Sequence, residues 1–372
     1  MQSKGEGSVW NKAAIAGGII GMMVILSACT SSDGVKAPHK EPEKSIIAES
    51  LEEEGFVENV GWLTDSEILT VATKDETTRL SKYNIYTGSQ KTIFETGSSY
   101  VTSSISPDKK SIYVQTSPGS YLATVTYIDP DGRSIFEQDI PSYDISFAWN
   151  EFSPGEMLLT SFAEDWSFEV SLVDINNKNV STLDMDQPFV QWKSDDAVIF
   201  QDWPTEDIAL NAPLMEESLL DGKRTMIAEK LIHFNQFSDS LMTIKGTDEK
   251  GIFEYRFLSP EGDEQSTFTQ SLLSRYSDWL VPYYDMIEGK GRFLTFTANG
   301  KGAADTDTDG FSLKEWDIFS GKEKVLFTDL PLEPLTCAPK GNACLYGNQL
   351  EKVISLVNRN IIHLLSVKGV QL

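Results

Sequence analysis

Apolar residues in this chain come in short runs rich in Val, Ile, Tyr and Phe, and turn residues close each run. Ile112-Tyr113-Val114, Val198-Ile199-Phe200 and Leu241-Met242 are examples. Runs of this length and composition, bounded by Gly, Pro, Asp and Ser, predict β-strands. The pattern contains no long amphipathic helix. Residues 48–54 and 214–220 are the only short helical candidates.

The strands recur as a unit: an apolar or aromatic strand, a Ser/Pro/Asp/Gly turn, then a second apolar strand. Trp62-Leu63-Thr64-Asp65-Ser66 precedes Ile68-Leu69, and Ile105-Ser106-Pro107-Asp108 precedes Ile112-Tyr113-Val114. Trp149 leads to Ser153-Pro154-Gly155, and Trp192 leads to Ser194-Asp195-Asp196. Taking Asp65, Asp108, Pro154, Asp195, Asp239, Gly289 and Lys340 as markers, the steps are 43, 46, 41, 44, 50 and 51 residues. A second turn series alternates with the first, at Thr87-Gly88, Asp131-Gly132, Asn176-Asn177, Asp221-Gly222, Glu261-Gly262, Ser320-Gly321 and Asn358-Arg359-Asn360. Two hairpin turns per period mean four strands per period, which is one propeller blade. A lone blade cannot bury both of its faces, so the blades are expected to pack around a ring. The predicted fold is therefore an all-β propeller of four-stranded antiparallel blades. The count is seven, or six if residues 56–62 share a blade with the C-terminal strands.

The start of the chain follows a different pattern. Lys4 and Lys12 precede an uncharged, mostly apolar stretch at residues 13–26, and the chain turns polar after Leu26-Ser27-Ala28-Cys29. The stretch is short for a membrane span of roughly 20 residues and suits a secretory leader. It looks like a bacterial lipobox, which implies cleavage before Cys29 and acylation of that cysteine. The alternative is a plain signal peptide or an uncleaved anchor. The expected organisation is a signal peptide at 1–28, a lipidated cysteine and disordered tether at 29–45, and a propeller at 46–372. Fully extended, that tether reaches roughly 50 Å.

Charge narrows the partners. The chain of 372 residues has a formal charge of −25, and loss of Lys4, Lys12 and Glu6 with residues 1–28 leaves −26. Such acidity argues against nucleic acid and against docking on anionic lipid headgroups. Membrane attachment then depends on acyl chains at Cys29, of which at least two are expected because one alone binds marginally.

The strand–turn units resemble TolB-type and WD40-like propellers, whose blades carry a Trp-Ser-Pro-Asp-Gly turn between their first two strands. Ser106-Pro107-Asp108 and Ser153-Pro154-Gly155 come nearest, and no copy is complete. With the lipobox, the whole chain resembles the YqgU-type lipoproteins of Gram-positive bacteria. The resemblance brings no catalytic residues.

Candidate chemistry is sparse. Asp305-Thr306-Asp307-Thr308-Asp309-Gly310 matches the first half of a calcium loop, with oxygen ligands at alternate positions and a glycine for the tight turn. The match lapses at Leu313 and Trp316, where further ligands belong. The loop is either a calcium site at Asp305, Asp307 and Asp309 or an acidic, solvated connection. Cys337 and Cys344 flank Lys340-Gly341 symmetrically, so a hairpin would oppose them at a span that a disulfide can bridge. The alternative is two reduced, buried cysteines. His233 and His363 sit in apolar runs and are expected in the core. The sequence holds no nucleophile elbow, zinc-protease motif or phosphate-binding glycine loop.

Loops joining second and third strands share one face of a propeller. They hold several acids together with Tyr121, Trp166 and Trp203, the ligand-face candidates. Exposed aromatics among acids suit a cationic peptide, a sugar or a partner protein; tucked between blades, they would be core. The expected function is a non-catalytic lipoprotein on the outer side of the cytoplasmic membrane that binds or scaffolds a protein, peptide or glycan. The alternative is an envelope hydrolase or lyase acting through carboxylates at the propeller mouth.

Overall fold

The structure is a computed structural model and describes residues 45–47, 51–52, 54–204, 208–276, 278–306 and 309–366. Cys29 and the leader lie outside these. No helix occurs among the described residues. The segment 214–220, a helical candidate by its Leu, Met and Glu content, falls largely in the strand Ala212–Ser218, where pairing on both sides overrides local propensity.

Seven four-stranded antiparallel blades follow one another along the chain. Blade 1 comprises Phe56–Trp62, Glu67–Lys74, Thr77–Asn84 and Gln90–Thr96. Blade 2 comprises Ser99–Ile105, Ile112–Gly119, Leu122–Ile128 and Ser134–Ile140. Blade 3 comprises Asp144–Trp149, Glu156–Phe162, Phe168–Asp174 and Asn179–Leu183. Blades 4 and 5 share one long strand, Arg224–Gln236. Its first part closes blade 4 behind Val190–Ser194, Ala197–Gln201 and Ala212–Ser218. Its second part opens blade 5 ahead of Leu241–Gly246, Ile252–Leu258 and Glu264–Ser271. The strand changes partner at Leu231, next to Lys230 at φ 57°. Blade 6 comprises Tyr284–Ile287, Arg292–Ala298, Phe311–Asp317 and Lys322–Leu330. Blade 7 comprises Leu335–Cys337, Ala343–Tyr346, Lys352–Ser355 and Asn360–His363.

The core is divided among the blade interfaces. Seven apolar clusters each join two neighbouring blades, and the last joins blade 7 to blade 1 through Trp62, Ile68, Tyr83, Leu345 and Val353. Second strands are packed on both faces, which explains their unbroken apolar runs: every residue of Ala197–Gln201 is buried. Outer strands such as Gln90–Thr96 meet solvent and are polar.

The recurring tryptophans have one structural task. At the end of its inner strand, each donates its indole N–H to the preceding blade. Trp149 reaches Ser104 Oγ at 2.9 Å, Trp192 reaches the Ala148 carbonyl at 3.2 Å, and Trp62 reaches the Thr336 carbonyl at 2.9 Å. That last bond crosses the ring closure. Asn59 adds two more bonds there, to the Gln349 and Leu350 carbonyls, each 2.9 Å. Outside them, the parallel pairing of Leu51–Glu52 with Leu365–Ser366 joins the two ends of the described chain.

Trp62 is 2% exposed, so Trp62→Ala is expected to lower stability by about 3–5 kcal/mol. Trp62→Phe, which keeps most of the packing but removes the indole hydrogen bond to the Thr336 carbonyl, should cost about 0.5–1.5 kcal/mol. Urea denaturation of both variants checks this order, and a Trp62→Phe variant as stable as the parent would mean that the indole hydrogen bond contributes nothing to closure.

Candidate functional site

In this ring, the turns between first and second and between third and fourth strands form one face, called here the turn face. Loops between second and third strands and the connections between blades form the other, the loop face. Inner strands run from the loop face to the turn face, so the residues that end them surround the axis.

At the turn face this topology collects charge. Glu151 follows the inner strand of blade 3, in a turn fixed by buried Asn150, whose Oδ1 accepts the Phe152 and Ser153 amides at 2.9 and 3.0 Å. Asp285, on the inner strand of blade 6, accepts the amides of Met286 and of Cys337 in blade 7. Glu288 ends that strand and accepts the Ser238 hydroxyl of blade 5. From blade 2, the Ser106-Pro107-Asp108 turn presents Lys109, held at φ 62° with its amide on the Ser106 carbonyl. Two adjoining cavities of about 540 and 620 Å³ share Trp149, Glu151, Asp285 and Glu288 in their walls. The second continues along the inner strands past Trp192, Gln191, Gln236 and His233 to Trp203 and Phe189.

Burial dominates the electrostatics of this channel. It pushes Glu151 up to about 7, helped by the charges of Glu288 and Asp285 and opposed by Lys109. Burial also raises Asp285 to about 6, although the two amides and Lys109 pull it back. His233 is pushed down to about 4 by burial and is neutral near pH 7; its Nε2 lies 2.7 Å from the Tyr284 hydroxyl. The expectation of two core histidines is therefore corrected. His233 borders the channel, and His363 is exposed at the end of an outer strand, where only one neighbouring strand covers it.

The loop face carries the aromatics. Tyr121, Tyr143, Trp166 and Phe189 are 45%, 51%, 71% and 65% exposed. Tyr121 and Tyr143 lie 5.0 Å apart, and buried Phe162 contacts both Trp166 at 6.0 Å and Phe189 at 5.8 Å. Trp166 sits at φ 63° in a turn closed by its amide on the Ala163 carbonyl. Of the three predicted ligand-face residues, Tyr121 and Trp166 belong to this arc, beside a groove of about 560 Å³ between blades 2 and 3. Trp203 stands apart and lines the axial channel. Sequence reasoning missed Tyr143 and Phe189, which the topology places on this face because they lie in blade-to-blade connections. It also missed Glu151 and Asp285, and Glu288, which directly precedes the Gly289 turn marker.

The acidic loop of blade 6 is only partly described. Asp305 and Asp309 are exposed, and Asp307 lies outside the described residues. The strand Phe311–Asp317 begins directly after Gly310, which explains why the calcium pattern stops. Leu313 is buried core, and Trp316 stacks on Phe268 at 3.9 Å. Among the described residues no group of three or more His, Cys, Asp or Glu forms a metal site. Cys337 and Cys344 are direct cross-strand partners in the first hairpin of blade 7 and form a disulfide.

Fold and channel define a closed β-propeller with an acidic turn-face mouth and an aromatic loop face. The chain belongs to the family of YqgU-like 6-bladed β-propeller domains, matched over residues 84–347. That stretch starts at the end of the third strand of blade 1, so most of the first of the seven blades precedes it. The chain is 27% identical to the uncharacterized lipoprotein YqgU of Bacillus subtilis strain 168, covering 90% of this chain and 92% of that one. The crystal structure of an uncharacterized protein of Listeria monocytogenes EGD-e superposes with a TM-score of 0.82 at 22% identity, over 88% of this chain and all of that one. An oligogalacturonate lyase of Vibrio parahaemolyticus superposes at 0.57 with 12% identity, over 82% and 88%. At these identities the two structures share the fold alone.

Because its value in the folded protein lies above the ordinary 4.5, the Glu151 carboxyl binds its proton more tightly in the folded than in the unfolded chain. Its contribution is present below about pH 4.5 and lost as pH rises to about 7. Glu151→Gln should therefore be more stable than the parent at pH 8, by up to about 3 kcal/mol, with no difference at pH 4. Urea melts at the two pH values measure this, and a variant that is less stable at pH 8 contradicts it.

Proposed function

We propose that this protein is a non-catalytic binding lipoprotein, anchored through acylated Cys29 on the outer side of the cytoplasmic membrane, which engages a protein, peptide or glycan partner with its loop face. One observation carries the reading: Tyr121, Tyr143, Trp166 and Phe189 are all exposed on one arc of that face. Large aromatics left in water at one place are characteristic of binding surfaces, where their rings supply contact area at little entropic cost. Glu164 and Asp165 beside Trp166, and the overall acidity, favour a partner with positive charge. The leader, and the description of the Bacillus subtilis relative as a lipoprotein, support the anchor.

Cys29→Ala should abolish acyl labelling and move the protein out of the membrane fraction; unchanged attachment would overturn the anchor. Crosslinking from intact membranes should capture a partner with the parent protein and lose it with the double variant Tyr121→Ala, Trp166→Ala. Undiminished capture would exclude this arc as the binding surface.

A second reading is an envelope hydrolase or lyase. It draws on Glu151, whose carboxyl burial raises to about 7, in a channel that Asp285 and Glu288 also line, as a general acid requires. Turnover of an envelope glycan or peptide that falls at least about 100-fold in Glu151→Gln would favour it over the binding reading.

A further inference from the structure

We propose that one sector of the turn face, the rim formed by blades 6, 7 and 1, docks on the surface of an anionic lipid bilayer. The proposal rests on the acyl anchor at Cys29 and adds the side on which the propeller meets the membrane. Its first support is the place where the described chain begins. Ile47 donates its amide to the Ile85 carbonyl at 2.9 Å, in the turn between the third and fourth strands of blade 1. Ile46 packs into the cluster that joins blade 7 to blade 1. The polypeptide therefore enters the ring at the turn face, in the middle of this sector. The linker from Cys29 extends to roughly 50 Å at most. Anchored that closely, the ring meets the bilayer at a high effective concentration, and a weak contact is enough to orient it.

The second support is the chemistry of the turns. In blades 6, 7 and 1 the third–fourth turns are residues 318–321, 356–359 and 85–89, and none of them holds an acid. Phe319 and Val357 in the first two are 63% and 54% exposed, and Ile47 beside the third is 36% exposed. The equivalent turns of blades 2, 4 and 5 carry Asp131, Asp221, and Glu261 with Asp263, while that of blade 3 presents Asn176, Asn177 and Lys178. Exposed cations surround the apolar turns: Lys290, Lys322, Lys324, Lys340 and Arg359. The neighbouring acids are engaged. Asp317 accepts the Phe319 and Ser320 amides at 3.0 and 2.9 Å, and Glu288 accepts the Ser238 hydroxyl. Asp65 pairs with Lys340 at 2.8 Å, and Glu323 with Lys314 at 2.7 Å. Large apolar side chains among lysines and an arginine suit a lipid interface, where the ring enters the headgroup layer and the cations meet phosphates. The negative charge of the whole chain does not prevent this. At physiological salt, charges more than about 8 Å from the bilayer are largely screened. With this sector on the membrane, the aromatic arc of the opposite face points away from the lipid, toward its partner.

The test uses the full-length acylated protein in lipid nanodiscs. With Cys29 acylated and Cys337 bonded to Cys344, a cysteine introduced by Val357→Cys or Ser320→Cys takes a single environment-sensitive fluorophore, and Tyr143→Cys reports on the loop face. In discs of equal parts phosphatidylcholine and phosphatidylglycerol, emission from both turn-face probes should shift to the blue relative to detergent micelles, and emission from the loop-face probe should not. Discs of phosphatidylcholine alone, or high salt, should remove most of the shift. The pair Lys322→Gln, Arg359→Gln should reduce the shift at Val357→Cys at least about twofold, as should Phe319→Ser. Lys178→Gln, the same charge change in the turn of blade 3, should leave it unchanged. Melting curves establish that each variant is folded. Protein that mass spectrometry shows to carry no acyl group would overturn the anchor and this proposal together. Acylated, disc-bound protein whose turn-face probes do not shift, or shift equally without phosphatidylglycerol, would overturn this proposal alone. A shift that appears in micelles and grows with protein concentration would assign the sector to a second copy of the chain and also overturn it.

Discussion

Every blade of this protein has two apolar faces, and that constraint governs the rest of the molecule. A lone four-stranded sheet would leave both faces in water, and an open row of blades would still leave one at each end. Only a closed ring buries them all, and the seven interface clusters show closure completed between blade 7 and blade 1. Each blade is formed from consecutive strands, so no strand is exchanged across the closing interface. Closure rests instead on packing around Trp62, on Asn59 and Trp62 hydrogen bonds, and on Lys340, whose ammonium and amide both reach the Asp65 carboxylate. The smallest cluster lies between blades 4 and 5, the one interface where a continuous strand also joins the neighbours. Covalent continuity there offsets the modest packing.

What the sequence made legible was local. The turn series and the apolar second strands could be read because each depends on residues within a few positions of one another. Trp62, Trp149 and Trp192 stood out for the same reason, and their spacing matched the blade period before any contact was known. The opposition of Cys337 and Cys344 followed from one hairpin. Where local preference met tertiary demand, the reading failed. Residues 214–220 favour a helix by composition, but Glu217 is committed to a sheet and to Arg224 at 2.8 Å. The lapse of the calcium pattern at Leu313 and Trp316, by contrast, was legible in the sequence, and both residues belong to a packed strand.

The axial channel was illegible for a different physical reason. Glu151 and Asp285 are separated by most of three blades, and neither lies in a motif. Their meeting is a property of the ring, which turns the ends of all inner strands toward one axis. Nothing in a linear pattern marks which acidic turn residue points inward; Asp65 and Asp239, in equivalent turns, bind neighbouring blades instead. Tyr143 and Phe189 were hidden similarly, since a connection between blades reads as an ordinary loop until the ring assigns it a face.

The channel acids impose a cost that the fold could easily avoid. A glutamine at Glu151 would relieve the desolvation that raises its proton affinity, and nothing in the blade depends on that carboxylate, whose turn is held by Asn150. Asp285 differs, because it joins the inner strand of blade 6 to the Cys337 amide and so to the disulfide hairpin of blade 7. One acid is thus part of the inter-blade framework, while its neighbour across the ring is not. Structural need accounts for Asp285 and leaves Glu151 without a task in the fold. A buried charge with no structural partner, facing a cavity, is a residue whose reason lies in what enters that cavity.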